Sequence, residues 1–279
     1  AVADVADDAM GAVAGGGSFL GRYPVLKAGR VTYLGLEESA ARTHRRLRQL
    51  VVKPDITLQN INFVYSLDPL LAGGAAQLDE YLTANTSALV VVDSLLSILQ
   101  ASGKRDVLRS DYQEVNILRE IAEKHSTALV VVHHSRKMAA DYHIDSVAGT
   151  SGVTAACDAV WSLKRKPEGE ALLELSGREQ EEKTIGLKFE TGIPFGWRGI
   201  GEGIEATMSE ERRDILDLLK EDAPMSPAGI ATALGKNRIT IRRLLSLLAT
   251  DGLIVKGIDR KYRLSSTSSY MNSMNRESE

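Results

Sequence analysis

Cysteine is nearly absent from this sequence: Cys157 is the only one in 279 residues. A single thiol forms no internal disulfide and cannot alone make a zinc site. Stability therefore has to come from packing, and the chain is expected to be cytoplasmic. Long apolar runs are missing too. None approaches the roughly 18 residues that a membrane span requires, so neither a membrane helix nor a signal peptide is expected. Nor does one sign of charge dominate, since 34 Lys and Arg stand against 37 Asp and Glu, a net charge of −3. With 43% apolar and 25% charged residues the composition is that of an ordinary globular protein. The length gives room for two domains of roughly 150 residues each.

The charge is unevenly placed. Between residues 235 and 264, eight cations (Lys236, Arg238, Arg242, Arg243, Lys256, Arg260, Lys261 and Arg263) meet only Asp251 and Asp259, leaving the stretch locally +6. A basic face on a mildly acidic chain is the electrostatic footprint of a nucleic-acid contact, and solvated basic faces without a partner also occur.

Apolar periodicity lays out the chain. Val2, Val5, Ala6, Ala9, Met10 and Val13 follow a helical spacing that stops at Gly15, Gly16 and Gly17. No capping residue precedes this helix, so the natural chain is expected to begin upstream. Residues 30–36 read as a buried strand that ends in Glu37 and Glu38, and Ser39 is placed to cap a basic helix over 40–50. Residues 88–93 (ALVVVD) and 128–133 (ALVVVH) are near copies. Continuous β-branched runs indicate strands covered on both faces, as in a parallel sheet, and a crossover helix is predicted near 111–125 with Val115, Leu118 and Ile121 on one side. Beyond residue 150, strands are predicted at 159–164, 171–176 and 184–189, with a turn near Gly196 and Trp197, together an antiparallel extension of the same sheet. Helices over 210–220, 227–234 and 237–250, then strands at 253–256 and 261–264, give the pattern of a winged helix-turn-helix. The expected domains are 1–206 and 207–264, followed by a disordered tail over 265–279.

Asp93 closes a hydrophobic strand, where a rigid carboxylate can orient the water shell of a phosphate-bound Mg²⁺; many strands also end in Asp only because the sheet edge is polar. Glu37 ends a second strand, where a carboxylate can polarise an attacking water. His133 and His134 end a third and offer a contact to a terminal phosphate. Adjacent strand residues point to opposite faces, which disfavours a shared metal with His143 or Asp145. One of the pair, His133 in preference, fits a structural role.

Residues 31–39 (VTYLGLEES), 89–94 (LVVVDS), 131–137 (VVHHSRK) and 177–179 (GRE), in that order, resemble RecA-like ATPases. They look closest to the RepA-type hexameric replicative helicases of plasmids and their phage relatives, within the wider AAA grouping. The resemblance covers roughly residues 1–200. It implies an α/β fold, a mostly parallel sheet flanked by helices, joined here to a small winged helix-turn-helix domain. It implies ATP and Mg²⁺ as ligands, DNA as partner and a homo-oligomer, hexameric by the family's pattern. By resemblance Glu37 is the catalytic glutamate, Asp93 the Walker B aspartate that holds Mg²⁺ through water with Ser94 beside it, and His134 the phosphate sensor.

The family's Gly-Lys-Ser/Thr phosphate loop does not occur in the 279 residues. Gly15 to Gly17 cannot replace it, because phosphates need backbone N–H groups at the start of a helix and these glycines follow one. The loop is expected upstream, and this fragment is expected not to hydrolyse ATP. Residues 135–151, with Arg136 and Lys137, read either as a DNA-tracking loop or as a plain surface loop. Residues 148–151 offer no arginine finger; Lys164, Arg165 and Arg178 are alternatives in trans. Asn237, Arg238, Thr240, Arg242 and Arg243 lie near the exposed side of the proposed recognition helix, with Arg260 and Lys261 on the wing, a pattern for DNA contact against protein contact or simple solvation. The functional expectation is an ATP-driven DNA motor. The alternative is a DNA-binding regulator whose ATPase-like core serves only for assembly.

Overall fold

The computed structural model describes residues 2–50, 54–99, 107–133, 151–166, 169–178, 181–192, 195–203 and 205–266. The chain divides into two compact units, Ala1–Glu202 and Gly203–Glu279. Among the described residues no helix is long and apolar enough to cross a membrane.

In the first unit, helix α1 (Val2–Gly15) buries Val5, Ala6 and Met10 of the residues its periodicity selects, and Ala14 besides, while Val2, Ala9 and Val13 stay half-buried; Gly16 at φ 67° turns the chain out of it. A short hairpin, β1 (Ser18–Phe19) and β2 (Tyr23–Pro24), leads to β3 (Val31–Gly35), α2 (Ala40–Leu50), α3 (Pro54–Gln59) and β4 (Ile61–Val64). Next come α4 (Gly74–Ala84), β5 (Leu89–Asp93), α5 (Val107–Lys124), β6 (Ala128–Val132) and α6 (Ser151–Ala156). The sheet order is β4-β3-β5-β6 with every pair parallel. β3 and β5 are buried at every residue; β5 is an unbroken apolar run up to Asp93, and Thr32 inside β3 pairs its hydroxyl with Ser87 Oγ at 2.8 Å. Alternation sorts the two faces: Val90 and Val92 pack with Leu78, Leu82 and Leu118 of α4 and α5, while Leu89 and Val91 pack with Met10 and Leu47 of α1 and α2. Each such side chain contributes about 1.5 to 3 kcal/mol relative to exposure. A one-residue slip of β5 would exchange the two sets and move Asp93 off the edge.

Two expectations are corrected. Strands β7 (Ala159–Arg165), β8 (Glu170–Gly177), β9 (Lys183–Glu190) and β10 (Gly196–Glu202) form their own antiparallel sheet, order β10-β9-β8-β7, rather than an extension of the parallel one. Their residues alternate, so Ala171, Leu173, Ile185, Leu187 and Trp197 bury one face against Val5 of α1 and Leu20 of the hairpin. The segment at Gly196 and Trp197 is the start of a strand, not a turn; Gly196 adopts φ 125° there, beyond the reach of most side chains. Helix α4 and the α3–β4 pair were not predicted, and β4 is only four residues long with Asn62 inside it.

The second unit contains α7 (Glu210–Asp222), α8 (Pro227–Ala233) and α9 (Arg238–Thr250), followed by an antiparallel pair, β11 (Ile254–Lys256) and β12 (Tyr262–Leu264). Ile215, Leu219, Ile230, Ile241, Leu244, Leu245 and Leu248 form its core. Ser226 caps α8 by accepting from Gly229 N–H at 3.1 Å, with Pro227 in the first turn, where its missing N–H costs nothing. The expected tail falls outside the described residues from 267 onward.

Candidate active site

The parallel sheet brings two acids to one edge. Gly35 ends β3 opposite Asp93, the last residue of β5, and Leu36 N–H donates to the Asp93 carbonyl at 2.8 Å. Two residues past that register point, Glu37 Oε1 accepts hydrogen bonds from Ser94 Oγ and, at 3.5 Å, from Ser97 Oγ. Ser94 directly follows Asp93, so the hydroxyl that holds Glu37 is covalently next to the second carboxylate.

Asp93 is 8% exposed. Its Oδ2 accepts the Tyr33 phenol O–H at 2.8 Å, and Arg46 Nη2 lies 3.9 Å from the same oxygen while donating to Tyr33 Oη at 3.2 Å. Arg46 also grips Asp7 of α1, Nε to Oδ2 at 2.5 Å and Nη2 to Oδ1 at 3.4 Å, and reaches Glu38 Oε2 through Nη1. One guanidinium from α2 therefore ties together the helix before β3, the acidic segment after β3 and the end of β5. Planar, forked geometry is what lets arginine serve several carboxylates at once.

The electrostatics follow from burial. Loss of water raises the Asp93 carboxyl above its ordinary range, against the lowering effects of the Tyr33 hydrogen bond and of Arg46. Burial, then the negative charge of Asp93, raises the Tyr33 phenol, which keeps it a proton donor. Burial opposes charge on Arg46, but Asp7, Tyr33 and Glu38 together outweigh it and the guanidinium stays charged. Gly35 makes the Tyr33 contact possible: a Cβ at that position would lie 2.6 Å from Tyr33 Cε1. A cavity of about 320 Å³, bordered by Asp4 of α1 and by Glu38, Arg42, Arg45 and Arg46, adjoins this network.

Of the residues singled out by sequence, Glu37, Asp93 and Ser94 come together. His134, Arg136 and Lys137 lie outside the described residues, as do His143 and Asp145; β6 ends at Val132, the register partner of Asp93, and His133 after it is half-buried. Lys164 is engaged across β7 and β8 with Glu174 at 2.8 Å, Arg178 donates to the Ala155 carbonyl, and Arg165 is exposed. Tyr33, Arg46 and Asp7 escaped the sequence reading. A signal existed, since Asp7 sits beside Ala6 and one turn before Met10, an acid inside an apolar stripe that needs a buried cation.

On the second unit Arg238, Arg242, Arg243, Arg260 and Lys261 are all exposed and Thr240 is half-buried. Asn237 is exposed as well and caps α9, its side chain accepting from Ile239 N–H at 2.8 Å. Other cations of the unit are engaged. Arg212 pairs with Asp251, Lys236 lies 3.4 Å from Glu211 and 3.5 Å from Asp214, and Arg213 Nη2 donates to the Met208 carbonyl at 2.6 Å.

The fold of the first unit is RecA-like α/β. The AAA domain family matches residues 5–140, and the O-methyltransferase dimerisation domain family matches residues 213–273. No curated protein matches the chain. Among solved structures, one described as an ATPase domain is similar over 62% of this chain and 75% of its own, at 12% identity and TM-score 0.51. A DnaB-like replicative helicase, solved with attention to its interactions with primase, is similar over 60% of this chain and 49% of its own, at 12% identity and TM-score 0.48. The RadB recombinase is similar over 62% and 80%, at 18% identity and TM-score 0.46.

Proposed function

We propose that this chain belongs to an ATP-dependent DNA motor of the RepA-type replicative helicase kind, a homo-oligomer whose second unit is a winged helix that binds DNA. The observation that carries this reading is the convergence of Glu37 and Asp93 through Ser94 at one edge of the parallel sheet. Strand carboxyl ends are where such sheets bind ligands.

The residues fit a magnesium nucleotide. One Asp93 oxygen is held by Tyr33 and Arg46; Asp93 through its other oxygen, with Ser94 next in the chain, would hold the ion. Bound Mg²⁺ supplies charge neutralisation at the phosphates. Glu37, held by the Ser94 and Ser97 hydroxyls, orients the attacking water and takes its proton on the carboxylate. Arg46 keeps Asp93 and Glu38 at fixed positions by balancing their charge. The glycines at 15–17 lie at the end of α1 and so do not form a phosphate cradle at a helix start. Arg136 and Lys137 are assigned to DNA tracking and His134 to sensing the terminal phosphate.

The test is DNA-stimulated ATP hydrolysis by the full-length protein, repeated with Glu37→Gln. Hydrolysis that falls by about 10² or more, with nucleotide binding kept, is the expected result. Hydrolysis unchanged by the substitution removes Glu37 from the mechanism. No hydrolysis by the unsubstituted protein favours the second reading, a DNA-binding regulator whose ATPase-like core serves only for assembly.

A further inference from the structure

The second unit leaves two isoleucines in water: Ile239, in the first turn of α9, is 77% exposed, and Ile258, in the turn between β11 and β12, is fully exposed. Single exposed apolar residues are ordinary, so the neighbours decide. The core side of α9 is Ile241, Leu244, Leu245 and Leu248; Ile239 falls on the opposite side, with Arg242 and Arg243 one turn further along and Arg238 beside it. Helix α9 carries no acid, and none of these three arginines has an ion-pair partner among the described residues. Ile258 is set in a tight turn: Gly257 N–H donates to the Lys261 carbonyl at 2.8 Å, Arg260 N–H to the Gly257 carbonyl at 3.0 Å, and Lys261 N–H to Asp259 Oδ1 at 3.1 Å. Lys256, Asp259, Arg260 and Lys261 of the same hairpin are all exposed.

Each isoleucine thus stands on a segment whose exposed charges are mainly cationic. A second copy of the same surface would bring like charges together as the apolar contact formed, which disfavours self-docking. A neutral apolar partner would have to desolvate the arginines without compensation. Duplex DNA meets both demands, with phosphates for the cations and, in the major groove, the thymine C5-methyl for an apolar side chain.

We infer that the α9 face of the second unit reads duplex DNA, with Ile239 packed on a thymine methyl in the major groove and Ile258 placed by the hairpin as a second apolar contact. The assignment rests on the DNA-binding reading given above and adds a base preference to it. The N-terminal turn of α9 is the part of a groove-lying helix that reaches base edges. Arg238, Arg242 and Arg243 hold the helix to the phosphates and carry no preference themselves.

The test begins by selecting duplexes from a random-sequence pool with the full chain, then compares each selected duplex with its counterpart carrying uracil for thymine, which lacks only the methyl. The expected loss is about fourfold for each buried methyl. Ile239→Ala should bind thymine and uracil forms equally, and its exposed position keeps the fold intact. Ile258→Ala should weaken binding to both forms alike. Salt-dependent binding with no thymine preference, or a preference that Ile239→Ala retains, overturns this inference and leaves the DNA reading standing. Absence of salt-dependent DNA binding, with self-association in sedimentation or binding to phosphatidylserine vesicles instead, overturns both.

Discussion

Arg46 of α2 and Asp7 of α1 form a forked ion pair, with contacts of 2.5 and 3.4 Å, in which Asp7 is fully buried. The pair lies one hydrogen bond from Tyr33, which in turn holds Asp93, so it couples the packing of two helices to the position of a carboxylate on the sheet edge.

Removing one member of this pair strands a charge. Arg46→Ala should destabilise the first unit by about 3 to 5 kcal/mol, because Asp7 loses its compensating cation, while the double change Asp7→Leu with Arg46→Met should recover most of that loss. Urea unfolding followed by circular dichroism measures both. Equal losses in the single and double variants would show that the pair is not what holds α1 to α2.

Tyr33→Phe keeps the ring and deletes only the O–H to Asp93. Since that bond lowers the Asp93 carboxyl against the effect of burial, its removal should raise the carboxyl further. Titration of the Asp93 side-chain carbon by NMR reads this directly, and an unchanged midpoint would contradict the contact.

Gly35→Ala places a methyl where the Tyr33 ring lies, 2.6 Å from Cε1. The ring must move off Asp93, at a cost of about 1 to 3 kcal/mol from overpacking. The same NMR titration should then show Asp93 shifted as in Tyr33→Phe, whereas stability lost without such a shift would separate packing from the hydrogen bond.

Asp8 gives a pH dependence. Burial pushes its carboxyl up from 3.8 to about 6, against the lowering effects of the Leu20 N–H bond, 2.5 Å from Oδ2, and of Arg198. A folded value above the unfolded one means that the associated stability is fully present below about pH 4 and is lost as pH rises through about 6, on the order of 2 to 3 kcal/mol. Asp8→Asn should flatten that fall in thermal unfolding between pH 4 and 7; a curve of unchanged slope would refute the assignment.

For the second unit, Arg242→Ala and Arg243→Ala should each reduce the slope of log affinity against log salt by about 1 for duplex DNA. Fluorescence anisotropy across a salt series checks this, and a slope unaltered by either change would place the phosphates elsewhere.

The sequence by itself determined the framework. The Val and Leu runs of β5 and β6 placed both strands in a parallel sheet with β3, but only central β5 carries its run fully covered while edge strand β6 stays mostly half-buried; the acids following β3 and ending β5 had to stand at the carboxyl edge. The α7–β12 order was legible for the same reason, since helical and alternating periods are local properties. What only the tertiary structure decided is non-local. That Arg46 closes on Asp7, 39 residues away, that Tyr33 reaches Asp93 because Gly35 has no side chain, and that the strands after residue 158 form a separate sheet all depend on which faces meet. Periodicity records which side of an element is apolar, and it carries no information about the partner that side will find.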